Sequence, residues 1–228
     1  MTGNYCYYES FHSFAPSFMD SKERIHAKAR ELFMRYGIRS VSMDDIANQL
    51  SVSKKTIYQF YADKNELVDG IMEEEIRQMQ QECLNYSLNA RDAVDEIFLT
   101  MELTLEQFRN LNPVVLHDME KFHYDSYQRI NKHKQDFLLK IISGNIERGI
   151  REGLYRSEVN VEILSKFRLE SLMLPFNIEL FPPKKYNLAE VSRVIIEHFV
   201  FGLATAKGME LIEKYRIELQ QKLAPHGT

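Results

Sequence analysis

Apolar residues near the start of the chain recur every three or four positions, which is the spacing of one buried face of an α-helix. This stripe predicts a first helix from Ser21 to Tyr36. Asp20 with Glu23 three residues later has the pattern of a capping box, in which amides at a helix start are satisfied reciprocally. Gly37 is suited to the position just after the last helical residue, so both ends of this helix carry a sequence signal.

Two short helices are predicted next, and each begins behind a serine cap. Ser42 with Asp45 marks the start of a helix over Met43–Leu50, and Ser53 marks the start of a second from Lys54 to about Tyr61. A valine before each cap can pack on an isoleucine after it, which fixes the direction in which the chain enters each helix. Two short helices around a three-residue turn are typical of a helix-turn-helix.

The rest of the chain keeps the helical spacing. Asp63 with Glu66 marks the start of a fourth helix that continues well past residue 80. Later apolar stripes predict helices near Ala90–Asn110, Pro113–Lys121, Asp125–Glu152, Val161–Leu180 and Leu188–Lys207. The predicted fold class is all-α, with a three-helix head that contains the helix-turn-helix, followed by a larger helical domain.

Three segments are expected along the chain. Residues 1–19 show neither helical nor strand periodicity, and they are interpreted as a leader that is either disordered or an artefact of start-site choice, with Met19 as the alternative start. Residues 20–66 form the predicted helix-turn-helix DNA-binding domain. Residues 67–228 form the predicted regulatory and dimerisation domain.

Charge is divided unevenly between these segments. The whole chain carries a formal charge of −4, which by itself argues weakly against a nucleic-acid partner. Ser21–Lys64 nevertheless holds nine Lys and Arg against five acidic residues, a balance of +4, whereas the sequence from Asn65 onward is acidic. A basic head before an acidic body is expected where only one part of a protein contacts phosphates.

The second short helix presents the candidate chemistry. Its face opposite the expected core is polar and cationic, and consists of Lys54, Lys55, Tyr58 and Gln59. In a major groove Lys can reach guanine acceptors and Gln can bridge adenine, while the hydroxyls of Thr56 and Tyr58 can donate to phosphates. Lys64 lies at the start of the fourth helix, where its ammonium and the helix dipole can form an anion site for the DNA backbone. Each lysine alone is more often an ordinary solvated charge, but so short a helix with this whole face is best explained by a polyanion.

The segment Ser42–Leu67 reads SMDDIANQLSVSKKTIYQFYADKNEL and resembles the DNA-binding core of tetracycline-repressor-like (TetR family) regulators. The resemblance extends back to Ser21. It implies that Ser42 touches a phosphate and that other residues approach DNA, namely Lys54, Lys55, Thr56, Tyr58 and Lys64. It also implies a DNA-binding head followed by a larger helical domain for ligand binding and dimerisation, in an all-α dimer with the last two long helices at the interface and a small-molecule cavity in the C-terminal helices.

Three positions depart from the family pattern. Phe60 stands where the family often has His or another polar residue, so one phosphate contact is expected to be missing. Ser51 replaces a common turn glycine. Lys55 replaces a common small residue at the helix start, which should alter the preferred bases.

The C-terminal domain matches the family only in length and layout. Its apolar stripes are explained either by core packing or by a dimer interface. The resemblance and a set of small residues favour a homodimer through residues 161–180 and 188–207. The small residues are Gly202, Ala204 and Ala206. Candidate pocket residues for an unidentified small-molecule effector are Tyr124, Tyr127 and Asn145.

Other functional classes find little support in the sequence. Cys6 and Cys83 are expected to be free thiols in a reducing cytoplasm, and neither a signal peptide nor a membrane-spanning run is recognisable. His117 and His123 are six residues apart and fall on different helix faces, so they and the neighbouring Asp118 and Glu120 predict no metal site. No cofactor is predicted.

The leading hypothesis is a cytoplasmic, dimeric regulator that binds double-stranded DNA at a palindromic operator and acts as a ligand-responsive repressor. An enzyme is the second hypothesis, and it is weakened because the sequence shows no nucleophile elbow, glycine-rich phosphate loop or zinc motif. A helical protein-interaction module is the third, in which the lysine face binds an acidic partner. Salt dependence distinguishes the first from the third, since DNA binding releases condensed counterions.

Overall fold

The structure is a computed structural model that describes residues 20–223. Within this range the chain forms eleven α-helices, one π-helical segment and one short 3-10 helix, and no β-strand. The all-α prediction is confirmed. The leader expected over residues 1–19 lies outside the described residues, as do residues 224–228.

The helices have the following bounds. The first four are α1 (Ser21–Tyr36), α2 (Met43–Leu50), α3 (Lys54–Tyr58) and α4 (Lys64–Asn89). The next four are α5 (Ala93–Phe108), α6 (Val114–Phe122), α7 (Tyr124–His133) and α8 (Leu139–Arg151), with the π-helical segment Lys134–Leu138 between α7 and α8. The last three are α9 (Val161–Ser171), α10 (Leu188–Leu203) and α11 (Ala206–Leu223), with the 3-10 helix Leu174–Phe176 after α9.

Side chains near the first helices fix where they begin. Asp20 and Glu23 form the expected capping box, with the Glu23 N–H donating to Asp20 Oδ1 at 2.8 Å and the Asp20 N–H donating to Glu23 Oε2 at 3.1 Å. At the start of α4, Asp63 accepts from the Glu66 N–H at 2.9 Å. Gly37 follows α1 with φ = 86°, a conformation that glycine adopts without steric strain.

The first helices enclose one core, to which we refer as the head core. Phe33, Ile46, Ile57 and Leu67 each contribute a fully buried side chain, one from each of α1, α2, α3 and α4. Burying such a side chain is worth about 1.5–3 kcal/mol, whereas a helix of five residues is unstable by itself. Packing of Ile57 therefore holds α3 in place.

The head core extends into the C-terminal half of the chain. Val115 and Met119 of α6 are each 4% exposed and pack within it. The Asn112 N–H also donates to the carbonyl of Met34 in α1 at 2.7 Å. In addition, α4 passes the expected domain boundary after residue 66 without a break. The three N-terminal helices, the start of α4 and α6 therefore pack as one unit.

A second core lies among α5, α8, α10 and α11. Tyr155, in the segment after α8, is 1% exposed and donates its hydroxyl to the Ala93 carbonyl at 3.0 Å. Gly149 makes room for this ring, because a Cβ there would lie 2.0 Å from Tyr155 Cδ2. No helix within residues 20–223 is long and apolar enough to cross a membrane.

The C-terminal helices differ from the predicted segments in two ways. The helix expected over Val161–Leu180 stops at Ser171, and Pro175, which lacks an N–H and disfavours helix before it, lies in the 3-10 helix that follows. The helix expected over Leu188–Lys207 stops at Leu203, and the unpredicted α11 begins at Ala206. Thr205 separates the two, and its hydroxyl accepts from the Gly208 N–H at 3.2 Å, so a threonine cap divides what the apolar stripe suggests is one helix.

Candidate nucleic-acid interface

The turn between α2 and α3 is set by local backbone conformation. Ser51 is left-handed, with φ = 55° and ψ = 39°, and the Val52 N–H donates to the Ala47 carbonyl at 3.0 Å. Within residues 20–223 Ser51 is the one non-glycine residue with positive φ. Glycine adopts this conformation without strain, so serine at position 51 is strained where the family often has glycine.

Ser53 caps α3 as expected, because its hydroxyl accepts from the Thr56 N–H at 3.1 Å. The Thr56 hydroxyl lies 2.8 Å from that of Ser53, so both hydroxyls meet at the start of the helix. α3 ends at Tyr58 and is shorter than predicted, but Tyr61 still points inward and is only 4% exposed.

The outer face of α3 has the composition that the sequence predicts. Its exposed side chains are Lys54, Lys55, Tyr58 and Gln59. Tyr58 is 43% exposed, while Ile57, on the opposite side of the same helix, is fully buried. The structure thus brings Lys54, Lys55 and Tyr58 of α3, and Gln59 directly after it, onto one surface, which we call the recognition face, whereas Thr56 is only partly exposed. Their contacts with DNA stay predictions.

Lys54 of the recognition face forms an ion pair with α2. Its Nζ lies 2.9 Å from Asp44 Oδ2, and the two side chains are 48% and 59% exposed. The hydrogen bond to Asp44 raises the pKa of Lys54, and the charge of the same carboxylate adds to the effect. Sequence analysis missed this acid, although two adjacent aspartates beside a basic helix are a visible signal.

Ser42 lies exposed at the start of α2 with its hydroxyl engaged in a capping box. It accepts from the Asp45 N–H at 3.1 Å and donates to Asp45 Oδ2 at 2.7 Å. The same carboxylate accepts from the Ser42 N–H at 2.8 Å. These hydrogen bonds from Ser42, first from the side chain and then from the backbone, lower the pKa of Asp45. A phosphate contact by Ser42 would therefore come from a hydroxyl that is already held in place.

Lys64 is turned toward the protein. Its ammonium donates to the carbonyls of Ile38 and Val41 at 2.5 and 2.6 Å, both in the connection between α1 and α2. It also lies 5.5 Å from the centroid of the Phe33 ring. Burial lowers the pKa of Lys64, and the nearby carboxylate of Asp118 opposes that shift. The ammonium thus closes the α1–α2 turn in this structure, and its expected contact with the DNA backbone stays a prediction.

Asp118 of α6 forms a second contact with the same turn. Its Oδ2 accepts from the backbone N–H of Arg39 at 2.8 Å, and the residue is 4% exposed. A Cβ at Gly37 would lie 3.1 Å from the same oxygen, so glycine also serves this close approach. Sequence analysis considers Asp118 only as a neighbour of possible metal ligands. A hydrogen bond across 79 positions leaves no local signal.

The remaining predicted residues are spread over the molecule. Phe60 is partly buried against the head core, where a polar side chain would be less favourable. Asn145 is buried and donates to the Ala93 carbonyl at 3.0 Å, Tyr127 packs partly against the head core, and Tyr124 is 63% exposed. The structure does not bring these three candidates for the effector pocket together. Within residues 20–223 no group of three or more His, Cys, Asp or Glu is placed to hold a metal ion.

A three-helix head whose short helix turns a cationic face outward is the arrangement of a helix-turn-helix. Residues 25–71 match the family model described as "Bacterial regulatory proteins, tetR family". This part of the chain is therefore similar to the DNA-binding segment of that family.

One curated relative and two solved structures are similar to this chain. The chain is 31% identical over 109 residues to YvaF, an uncharacterized HTH-type transcriptional regulator of Bacillus subtilis (strain 168), an alignment that covers 46% of this chain and 55% of YvaF. The match thus spans about half the length of that relative.

The two solved structures share the fold. Reduced NemR of E. coli is 15% identical with a TM-score of 0.66, and the match covers 82% of this chain and 98% of that one. FadR from Bacillus subtilis, solved in complex with stearoyl-CoA, is 20% identical with a TM-score of 0.61, covering 79% and 98% of the two chains. At these identities the likeness shows a common all-α fold.

Proposed function

We propose that the protein is a ligand-responsive transcriptional repressor that binds double-stranded DNA at a palindromic operator as a homodimer. The observation that carries this proposal is the recognition face, which exposes four polar side chains. The buried side chain of Ile57 packs α3 against the head core and so fixes the orientation of this face. The match of residues 25–71 to the model of the tetR family supports the same function.

The proposed DNA contacts of α3 and Gln59 divide into base readers and phosphate contacts. Lys55 lies in α3 and Gln59 directly follows the helix, four residues later and also exposed, so both can point into the same groove. A lysine there reads guanine acceptors and a glutamine reads adenine. The hydroxyls of Thr56 and Tyr58 donate to phosphates, which positions the helix without reading sequence.

Residues around the recognition face contribute further positioning. Ser42 presents its capped hydroxyl to the backbone at the exposed start of α2. Lys54 carries a positive charge at the start of α3, where Asp44 is paired with it. Lys64 contributes indirectly. Its ammonium binds the carbonyls of Ile38 and Val41 in the α1–α2 turn, and Val41 directly precedes Ser42.

An exposed apolar face supports dimerisation through residues 161–180 and 188–207. Three large apolar side chains of α9 and α10 are at least half exposed: Ile163 at 62%, Phe167 at 54% and Val194 at 50%. The exposed row of α10 continues at four-residue spacing through His198 and Gly202. A Cβ at Gly202 would meet no atom within 4 Å, so a second helix has room to approach.

A second copy of the chain would remove this face from water and bring two heads into a fixed relation. The pair of helices involved is α9 and α10, whereas α11, the last helix described, packs on α5. The proposed interface therefore uses the predicted residue ranges, but α9 and α10 are not the last two long helices as predicted, because α11 follows them.

Regulation is proposed to act through α6. Val115 and Met119 place α6 within the head core, and Asp118 binds the Arg39 N–H in the turn before α2. A small molecule that favours another position of α6 would therefore move the head. Half-sites of a palindrome lie about 34–36 Å apart, so a small change in the separation of two recognition helices weakens binding. The complex of FadR with stearoyl-CoA shows that one protein of this fold binds an acyl thioester; the effector here is unidentified.

Selection of DNA fragments by the purified full chain tests the proposal. We expect a palindromic sequence to be enriched, and its binding constant to fall with salt along a log–log line of slope about −0.9 per neutralised phosphate. Failure to enrich any palindrome would contradict the proposed function. Salt-dependent binding to an acidic protein, with none to DNA, would instead support an interaction module.

A further inference from the structure

Asp44 and Lys54 join the two helices of the helix-turn-helix across their turn. Asp44 is the second residue of α2 and Lys54 is the first residue of α3, and the carboxylate lies 2.9 Å from the ammonium. Both side chains stay about half exposed. The pair therefore lies at the protein surface, beside the recognition face, where DNA is proposed to bind.

Asp45, the adjacent acid, is arranged differently. Its carboxylate accepts from both the N–H and the hydroxyl of Ser42 in the capping box, so its hydrogen bonds are directed to the start of α2. Asp44 makes its hydrogen bond with the lysine instead. Of the two aspartates, Asp44 is thus the one that affects the charge of the recognition face.

An ion pair this exposed does little for folding. Such pairs contribute little to stability in general, because water and salt screen them and two flexible side chains lose freedom. Their effect on a polyanionic ligand is larger, since each lysine that reaches a phosphate releases a counterion and each carboxylate near a phosphate repels it. Asp44 is therefore expected to affect the affinity for DNA more than the stability of the fold.

We propose that Asp44 limits the affinity of this protein for non-cognate DNA by holding the Lys54 ammonium away from phosphates. Sequence-independent binding is almost wholly electrostatic, so masking one cation per protomer weakens it directly. Less protein is then retained on the many competing sites of a genome. This inference rests on the proposed function, because it concerns the same DNA-binding face.

Salt titrations of the full chain with a duplex of random sequence test the inference. Asp44→Asn removes the carboxylate charge and keeps the side-chain shape. We expect its affinity for the random duplex to rise about two- to five-fold per protomer. We also expect the log–log salt slope to steepen by about 0.9 per protomer, because Lys54 then contacts a phosphate. Asp44→Glu, which can still reach Lys54, should keep the wild-type slope.

A mutant cycle separates masking from a general charge effect. In a Lys54→Met background, Asp44→Asn should leave the salt slope unchanged, because no ammonium remains to be released. Glu31→Gln is the matched control, since Glu31 also pairs with a lysine in the head, Lys28 of α1, and the substitution removes the same charge. It should not steepen the slope as Asp44→Asn does. Asp44→Ser provides a second uncharged variant if Asn lowers the thermal midpoint.

Two results would overturn the inference while leaving the proposed function intact. One is a wild-type slope in both Asp44→Asn and Asp44→Ser. The other is an equal change of slope with and without Lys54. If the wild-type chain binds no DNA at any salt concentration, the proposed function fails and the inference fails with it.

Discussion

Replacing Asp118 with alanine should loosen the connection between α6 and the turn before α2. The carboxylate accepts from the Arg39 N–H at 2.8 Å and is 4% exposed, so the bond is shielded from water. A hydrogen bond to a charged group contributes about 1.5–3 kcal/mol, and its loss leaves a donor without its acceptor. We expect Asp118→Ala to lower the free energy of unfolding by about 2 kcal/mol. Asp118→Asn keeps an acceptor oxygen, so its loss should be about 1 kcal/mol.

Two measurements check this prediction. Urea titration followed by circular dichroism gives the free energy of unfolding of a chain that has no tryptophan. Amide hydrogen exchange gives the local effect, because the Arg39 N–H should exchange faster once its acceptor is removed. Glu120→Ala is the matched control, since it removes the same charge from an exposed position of α6 and should change stability by less than about 0.5 kcal/mol. Equal stability and equal exchange in Asp118→Ala and Glu120→Ala would refute the reasoning.

Three further predictions concern the helix-turn-helix. Ile57→Ala removes the buried anchor of α3 and should lower the free energy of unfolding by about 2–4 kcal/mol in a urea titration, and a loss below about 1 kcal/mol would count against the anchoring role. Ser51→Gly relieves a left-handed serine and should stabilise the protein by about 1 kcal/mol, so a lowered thermal midpoint would be the contrary result. Tyr58→Phe should weaken binding to all DNA sequences alike, whereas Lys55→Ala should mostly change the preference between sequences in a panel of duplexes. Equal losses that do not depend on sequence would contradict this division of roles.

Features that depend on near neighbours could be predicted from the sequence. The caps at Asp20, Ser42, Ser53 and Asp63 form as expected, because each joins residues three positions apart. The bounds of α1 and α2 follow from those caps. The outer face of α3 was also predictable, since burial of Ile57 fixes which side chains point outward.

Features that depend on tertiary packing were not predictable in this way. Lys64 has the sequence position of an anion site, but the α1–α2 turn offers it two carbonyls, and only the folded backbone brings them within reach. The break before α11 carries neither glycine nor proline, so Thr205 gives a weak signal within a continuous apolar stripe. Asp118 appears in the sequence as one polar residue among several, because its partner, the Arg39 N–H, lies 79 positions earlier in the turn between α1 and α2.

Val115 and Met119 complete the head core from a helix far along the chain, so the unit that can be exchanged between regulators is discontinuous. A chimera that joined residues 20–66 to the C-terminal domain of another protein would cut α4 after Glu66. It would remove six buried residues of the head core, namely Leu67, Val68, Ile71 and Met72 of α4 and Val115 and Met119 of α6. Such a hybrid would expose apolar surface that the intact chain buries. A transplant that keeps this head folded must carry α6 with it, and so must bring part of the C-terminal half of the chain to its new host.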